Sequence, residues 1–283
     1  MTQTDEMTGI QVAIVVVEIA LHAAGLALFL WLVFSRRGRA LPKALLPEWR
    51  IPGAEFALFL CFGLMGATLV NAIAGAILHR VHLSSDASVV AASAAMEGGF
   101  LCGMLGFHAV YGRPGPEAAG RPTIARGLAG GLFTFLAAMP FVTAVNYGWG
   151  EFLTRMGLPD EKQELVGILE NTQSAVLKVL FLLVATLLVP AAEEVLFRGG
   201  LFRYLRTRMP RWVAIASTSV LFGALHVQWS DHMGGLASLL PLIVLAATFC
   251  IAYERTGSIV TPIVAHALFN LNMIVLVIAG FGS

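Results

Sequence analysis

The sequence predicts an all-α polytopic membrane protein with about eight transmembrane helices. Of its 283 residues, 58 % are hydrophobic and only 12 % are charged, whereas soluble domains have about 45–50 % apolar and about 25 % charged residues. The mean hydropathy is +0.81. The apolar runs are long and lack the alternation that a membrane β-barrel requires. The composition therefore excludes a soluble chain and a disordered chain.

Eight apolar segments are candidates for helices that cross a hydrocarbon core of roughly 30 Å, which takes about 20 residues. They are Gly9–Phe34, Glu55–Leu78, Val89–Val110, Gly127–Tyr147, Val179–Leu201, Trp212–Gln228, Leu236–Tyr253 and Ile259–Ala279. The fifth and sixth contain polar residues, so their hydropathy is weaker. We predict two regions, an N-terminal four-helix membrane region with a surface linker (1–174) and a C-terminal four-helix membrane core (175–283).

Lys and Arg residues are concentrated in the loops on one side of these spans. The loops after spans 1, 3, 5 and 7 contain 13 of them, whereas the other side contains 3. Loops rich in Lys and Arg remain in the cytoplasm, so we expect both termini to lie outside. The net charge of +1 provides no basic face for nucleic acid, and we expect membrane lipids as the surroundings and no nucleic-acid partner.

The stretch Gly148–Ser174 is the longest piece that we predict to lie outside the membrane. Within it, Pro159–Gln173 alternates apolar and acidic residues, which favours a short helix on the outer surface. A lid that guides substrate is the alternative. The G-x-x-x-G pairs at Gly99 and Gly127 permit close contact between helices, and we expect them to pack inside the protein rather than to form a dimer interface.

Ionisable residues inside the spans are informative, because each costs about 2.5–3.5 kcal/mol at mid-bilayer. A first set, in the N-terminal half, consists of Glu18, His22, Glu97 and His108. Glu18 and His22 are four residues apart and can pair on one helix face. We expect these groups to satisfy one another between helices. A proton or ion path is the alternative.

A second set lies on three C-terminal spans. It consists of Glu193, Glu194, Arg198, His226, His266 and Asn270. Helical rise places Glu193, His226, His266 and Asn270 roughly 12 to 21 Å from the cytoplasmic boundary, and the midplane lies at about 15 Å. Three helices therefore bring polar groups to a similar level, which favours a shared site over polar contacts that only hold helices together.

Helix geometry separates the two adjacent glutamates of this set. Neighbouring residues point about 100° apart, so Glu193 and Glu194 occupy different faces. Glu194 and Arg198 have the spacing of an ion pair, which leaves Glu193 free to face a cavity. The same spacing directs His266 and Asn270 to one spot, and Phe222 shares a face with His226.

These groups suit hydrolysis of an amide bond without a covalent intermediate. A desolvated carboxylate with an imidazole can activate water, and a second His–Asn face can stabilise an oxyanion. No serine lies in a G-x-S-x-G motif, which disfavours a Ser–His mechanism. The chain also has no H-E-x-x-H zinc motif and no Gly-rich phosphate-binding loop, and we expect no cofactor. A zinc site formed by Glu193, His226 and His266 is the minority alternative.

Three short motifs follow one another on the C-terminal spans: E-E-x-x-x-R from Glu193 to Arg198, F-x-x-x-H from Phe222 to His226, and H-x-x-x-N from His266 to Asn270. In this order they resemble the CPBP family, the CAAX prenyl proteases and bacteriocin-processing enzymes that are also called Abi proteins. The resemblance covers about Val179–Asn272, whereas the first four spans contribute only compatible hydropathy.

The resemblance implies an intramembrane glutamic endopeptidase, with residues 175–283 as its catalytic core. It implies that Glu193 and His226 activate the water and that His266 and Asn270 stabilise the oxyanion. Glu194, Arg198 and Phe222 would shape the site. The implied substrate is a peptide or a lipid-anchored protein, processed at a CAAX end, a precursor segment or a C-terminal sorting tail, and the implied location is a prokaryotic cell membrane.

Two other functions remain open at this stage. A non-catalytic membrane protein of the same fold, such as an immunity or scaffold factor, would need none of the site's chemistry. An ion-coupled carrier would use Glu18, Glu97 and Glu193, but the sequence has no visible inverted repeat of the kind that carriers contain.

Overall fold

The computed structural model describes residues 7–40, 46, 49–81, 83–112, 123–158, 172, 174–227 and 235–281. Within these ranges the chain forms helices and no strands. The helices are α1 (Gly9–Phe34), α2 (Arg36–Arg39), α3 (Gly53–Leu78), α4 (Ser85–Tyr111), α5 (Ile124–Met156), α6 (Ala175–Arg206), α7 (Arg211–Leu225), α8 (Leu236–Thr256) and α9 (Val260–Ile278).

Seven of these helices are long and apolar enough to cross a membrane, namely α1, α3, α4, α5, α6, α8 and α9. Helix α7 is apolar but has only 15 residues, which corresponds to about 22 Å of helix. One face of it packs against α6 and α8. The predicted all-α, multi-pass membrane architecture is confirmed.

Helix α5 is longer than we predicted. It continues past Tyr147 to Met156 and has 33 residues, or about 50 Å at the usual rise. The residues that follow Tyr147 keep enough apolar and aromatic side chains to pack, and Trp149 donates from Nε1 to the carbonyl of Leu236 at 2.9 Å. Gly157 ends the helix in the left-handed conformation, with φ of 65°. The segment outside the bundle therefore begins after Met156 rather than at Gly148.

Helices α3 and α4 form a close antiparallel hairpin along a stripe of glycines. A Cβ atom at Gly99 would lie 2.4 Å from the carbonyl oxygen of Gly66, and one at Gly103 would lie 2.0 Å from that of Phe62. Only a residue without a side chain allows this approach. The predicted close contact at Gly99 is confirmed, and it is internal to the chain.

Helix α5 packs against α1, α8 and α9. Gly131 faces α9, where an added Cβ would lie 2.5 Å from the Cβ of Val264. Gly25 of α1 approaches the carbonyl of Leu136 equally closely. The second G-x-x-x-G pair, which begins at Gly127, is therefore also an internal contact, as predicted.

A buried carboxylate joins three elements at the end of the bundle where α6 meets α7. Glu254 is 1 % exposed and accepts from Arg206 at 2.7 Å and from Arg211. Its backbone carbonyl accepts from the N–H of Leu46 at 3.2 Å. Two cations offset the cost of burying one carboxylate, so this end of the bundle is fixed by charge as well as by apolar packing.

The described helices do not test two of the predictions, the surface helix and the division into two regions. The proposed surface helix Pro159–Gln173 lies outside the described residues, apart from Thr172. The division of the chain into regions 1–174 and 175–283 stays a prediction.

Candidate active site

Helix α6 has an irregular backbone around the two glutamates. A regular segment, Val189–Glu194, lies between two π-helical stretches, Val184–Leu188 and Val195–Phe202. In the first stretch the N–H of Val189 donates five residues back, to Val184. Such wide turns are rare and occur frequently at functional sites.

Pro190 leaves one backbone carbonyl in the first wide turn without a donor from its own helix. A proline has no N–H, so Pro190 cannot donate to the carbonyl of Ala185, five residues earlier. That carbonyl instead accepts from Nδ2 of Asn270 at 2.8 Å. Helix α9 is therefore bonded to the wide turn of α6, and the Asn270 amide is held by it.

The second glutamate is the centre of a fully buried polar cluster. One oxygen of Glu194, Oε1, accepts from Arg198 at 2.8 Å and contacts Nδ1 of His266 at 2.9 Å. The side chains of Glu194 and Arg198 have no exposed surface. A carboxylate is an acceptor, so Nδ1 of His266 is the donor in this contact.

Arg198 also contacts neighbouring helices, although its Nε is buried without a hydrogen-bond partner among the described residues. It donates to the carbonyl of Ala246 on α8 at 3.1 Å. Its guanidinium lies over the rings of Phe222 and Phe249, 4.7 Å and 5.3 Å from their centroids. The cluster therefore connects α6 with α7, α8 and α9, as the predicted structural roles of Glu194, Arg198 and Phe222 require.

The first glutamate faces two imidazoles instead of a cation. Oε1 of Glu193 lies 3.6 Å from Nε2 of His226, and Oε2 lies 3.9 Å from Nε2 of His266. Oε2 is buried and has no hydrogen-bond partner among the described residues. The Glu193 side chain is 18 % exposed and that of His226 26 %, so the site is largely shielded but not closed.

His226 is held at the end of α7 by its own backbone. Its Nδ1 lies 2.7 Å from the carbonyl of Phe222, which assigns the proton to Nδ1 and directs Nε2 at Glu193. The rings of Phe222 and His226 are tilted at 37°, with centroids 4.5 Å apart. This is the contact that the i,i+4 spacing predicted.

The structure thus brings Glu193, His226 and His266 together. Asn270 lies one turn along α9 from His266, where its Nδ2 donates to Ala185. The predicted division between the two glutamates is observed in the contacts. The pairing of His266 with Glu194 was not predicted, because spacing along one helix does not indicate contacts between α6 and α9.

The structure separates the N-terminal ionisable residues that we had grouped together. Glu97 lies within electrostatic range of Glu193 and His226, on a helix that packs against α6. His22 contacts the backbone carbonyl of Glu18 at 2.7 Å and Oγ1 of Thr143 at 3.0 Å, with the Glu18 carboxylate 3.7 Å away. The predicted Glu18–His22 pairing is observed.

His108 makes a different kind of contact. Its ring lies among aromatic side chains, with centroids 6.4 Å from Trp49, 6.0 Å from Phe59 and 5.7 Å from Phe107. It belongs to the packing of the α3–α4 hairpin. Within the described part of the chain, no three His, Cys, Asp or Glu side chains are arranged to hold a metal ion.

The C-terminal part of the chain matches known proteins. Residues 175–272 match the family model for Rce1-like type II CAAX prenyl endopeptidases. The "Putative membrane peptidase YdiL" of Bacillus subtilis (strain 168) is 32 % identical over 112 residues, which cover 38 % of this chain and 43 % of YdiL. No solved structure matches the chain significantly.

Two further relatives are similar over shorter stretches. The "Uncharacterized 24.3 kDa protein" of Escherichia coli is 32 % identical over 90 residues, which cover 31 % of this chain and 40 % of the relative. The "Uncharacterized protein YpbD" of B. subtilis (strain 168) is 36 % identical over 87 residues, which cover 30 % and 39 %. The chain thus spans less than half the length of the curated relatives that it matches.

The buried pair Glu194–Arg198 has a matched control on the surface. Glu151 and Arg155 have the same spacing and a similar bond length, 2.7 Å against 2.8 Å, but their side chains are 61 % and 75 % exposed. We expect Glu194→Ala to destabilise the protein by about 3–5 kcal/mol, because it leaves a buried guanidinium without its partner. Glu151→Ala should cost less than about 1 kcal/mol.

Thermal unfolding of the two variants in the same detergent measures this difference. Equal melting temperatures for Glu194→Ala and Glu151→Ala would contradict the structural role of the buried pair.

The three motifs, their contacts and the match over residues 175–272 agree, and this C-terminal region is similar to the CPBP family of CAAX-type membrane proteases.

Proposed function

We propose that this protein is an intramembrane endopeptidase that hydrolyses a peptide bond near the membrane-anchored end of a peptide or protein. The observation that carries the proposal is the difference between the two adjacent glutamates. Glu194 is bonded to a cation, whereas Glu193 faces His226 and His266 at 3.6 Å and 3.9 Å.

Those two distances suit a bound water. They exceed the length of a direct hydrogen bond, and at a polar separation beyond 3.5 Å a bridging water is to be considered. With its proton on Nδ1, His226 offers Nε2 as an acceptor. A water between Glu193 and His226 would therefore donate to both, and its oxygen would be free to attack a carbonyl carbon.

In the proposed reaction, Glu193 accepts one proton from the water and later returns it to the leaving group. As the water oxygen bonds to the carbonyl carbon, the water proton moves to the Glu193 carboxylate. The carbonyl oxygen then carries a negative charge. When the carbon–nitrogen bond breaks, Glu193 returns the proton to the leaving nitrogen, which gives a free amine and a carboxylic acid.

The oxyanion would be stabilised by His266 and Asn270. His266 can donate from Nε2 only when both ring nitrogens carry protons, and the Glu194 carboxylate at 2.9 Å favours the form in which Nδ1 does. Asn270 uses one amide hydrogen for Ala185 and retains a second one. Fixed donors of this kind contribute the most when they are oriented before the reaction.

We infer the substrate class from the family. Members described as CAAX prenyl endopeptidases and as a membrane peptidase favour a peptide or a lipid-anchored protein whose cleavage site lies close to the bilayer. The half-shielded site within the helices is consistent with an extended peptide that enters from the membrane.

The catalytic assignment is tested with Glu193→Gln, which preserves the shape of the side chain but removes the base. Loss of a general base lowers rates by about 10²–10⁴-fold. Membrane fractions from cells with wild-type and variant protein are compared by mass spectrometry of peptide termini. We expect precursors to retain an N-terminal or C-terminal segment only in the variant.

Glu151→Gln, on the exposed part of α5, is the control and should process the same precursors as the wild type. If no peptide terminus depends on Glu193 while the variant still accumulates in the membrane, the protein is a non-catalytic membrane factor and the proposal is wrong.

We also propose that the reaction needs no metal cofactor, because the described residues do not form a three-ligand site. Processing by purified protein should be unchanged by a strong zinc chelator and by subsequent addition of zinc. Loss of activity that returns with zinc would instead support a site at Glu193, His226 and His266.

We propose that both termini lie outside a prokaryotic cell membrane, because 13 of the Lys and Arg residues lie on one side of the helices and 3 on the other. Met7→Cys and Ala40→Cys, at opposite ends of α1, test this after the exposed Cys61 and Cys102 are replaced. A membrane-impermeant maleimide should label Met7→Cys in intact cells and Ala40→Cys only after permeabilisation. The reverse pattern would invert the topology.

A further inference from the structure

Pro190 lies where helix α6 returns from its first wide turn to a regular helix. It follows the π-helical stretch Val184–Leu188 and stands in the first turn of the regular segment that ends at Glu194. Its side chain is fully buried. Pro190 is three residues before Glu193, the proposed base, so the backbone around it leads directly into the site.

The combination of a wide turn and a proline determines which backbone carbonyl lacks a donor. A proline inside a helix leaves one carbonyl of the preceding turn unpaired. Because the N–H of Val189 donates five residues back, to Val184, the next carbonyl in this wide register, that of Ala185, falls to position 190. Pro190 has no N–H to give, and Asn270 binds that carbonyl instead, at 2.8 Å.

The bond to Ala185 fixes the direction of the whole Asn270 amide. The NH₂ group has two hydrogens in one plane, so holding one of them also directs the other. Helix α9 packs against the wide turn, and its His266, one turn before Asn270, has Nε2 3.9 Å from Oε2 of Glu193. The second amide hydrogen is therefore held on the face of α9 that carries His266.

Pro140 in α5 shows that a helix proline does not require a polar partner in this protein. It likewise denies a donor to the carbonyl four residues earlier, that of Leu136. This carbonyl faces the backbone of Gly25, where an added Cβ would lie 2.1 Å from the oxygen. The side-chain amide that binds beside Pro190 is thus a feature of the site and not a general consequence of a proline in a helix.

We propose that Pro190 is a positioning residue of the protease, because its missing N–H reserves the Ala185 carbonyl for Asn270 and thereby aims the second Asn270 hydrogen at the oxyanion. The inference rests on the proposed function and adds a residue that acts only through Asn270. An N–H at position 190 would compete with Nδ2 of Asn270 for one carbonyl and release the amide. Donors stabilise an oxyanion best when they are oriented before the reaction.

The test uses purified full-length protein and a synthetic peptide that spans a Glu193-dependent cleavage site. Pro190→Ala introduces the N–H and should lower kcat by about 10²-fold, the effect of a misplacement of about 1 Å. It should leave KM unchanged, because the lost interaction is made in the transition state. Pro190→lactic acid, introduced by nonsense suppression, has the same methyl side chain but an ester oxygen in place of the N–H, and it should keep the wild-type kcat.

A double-mutant cycle tests whether Pro190 acts through Asn270. Asn270→Ala removes the donor and should lower kcat by about 10²–10³-fold. Adding Pro190→Ala to Asn270→Ala should cause no further loss, since effects that pass through one contact are not additive. Pro140→Ala makes the same substitution in α5 and is the matched control, for which we expect an unchanged kcat.

Three results would each overturn the inference while the protease function stands. They are a wild-type kcat in Pro190→Ala, equal losses in Pro190→Ala and Pro190→lactic acid, and losses of Pro190→Ala and Asn270→Ala that multiply in the double variant. If no cleavage depends on Glu193, the proposed function is wrong and the role of Pro190 is wrong with it.

Discussion

The buried contact of Glu194 with Arg198 and His266 determines how the rest of the site can be arranged. Placing a carboxylate and a guanidinium in a dry interior costs several kcal/mol for each ion. Here the 2.8 Å bond between them, the carbonyl of Ala246 and two aromatic rings offset that cost. Because these partners lie on α6, α7, α8 and α9, the ion pair holds the four helices in one arrangement.

This arrangement gives adjacent glutamates different tasks. The contact at Nδ1 of His266 orients the ring so that Nε2 faces Glu193. On the other side, the end of α7 orients His226 through the carbonyl of Phe222. Neither imidazole depends on Glu193 for its orientation, so Glu193 can exchange a proton without disturbing the helices. Irregular backbone contributes in the same way, since the wide turn before Pro190 frees the Ala185 carbonyl that holds Asn270.

Sequence reasoning succeeded where the relevant contact lies within one helix. The spacing of Glu194 and Arg198, of Phe222 and His226, and of Glu18 and His22 correctly predicted contacts on a shared face. Apolar run length likewise predicted α1 over its observed range, Gly9–Phe34. These features depend on helix period and on hydrophobic length, which a single sequence contains.

Contacts between different helices could not be predicted from the sequence. Nothing in the order of the spans shows that α4 lies against α6, so Glu97 was grouped with Glu18 instead of with Glu193. The link from Glu254 to Arg206 and Arg211 was missed for the same reason. The end of α5 at Met156 was also missed, because Gly148 and Gly150 resemble a helix stop, whereas packing of Trp149 on Leu236 continues the helix.

The position of Glu97 also distinguishes the two halves of the chain. The groups proposed for chemistry all lie within residues 175–272, the part that matches the family model, whereas Glu97 lies on a hairpin outside it. The contacts that orient His226 and His266 lie within α6, α7 and α9, whereas the α3–α4 hairpin packs against α6 from outside that region. The glycines of the α3–α4 contact bring two backbones together and make α4 a rigid wall. The backbone packing of α4 against α3 therefore also fixes the side of α4 that packs against α6.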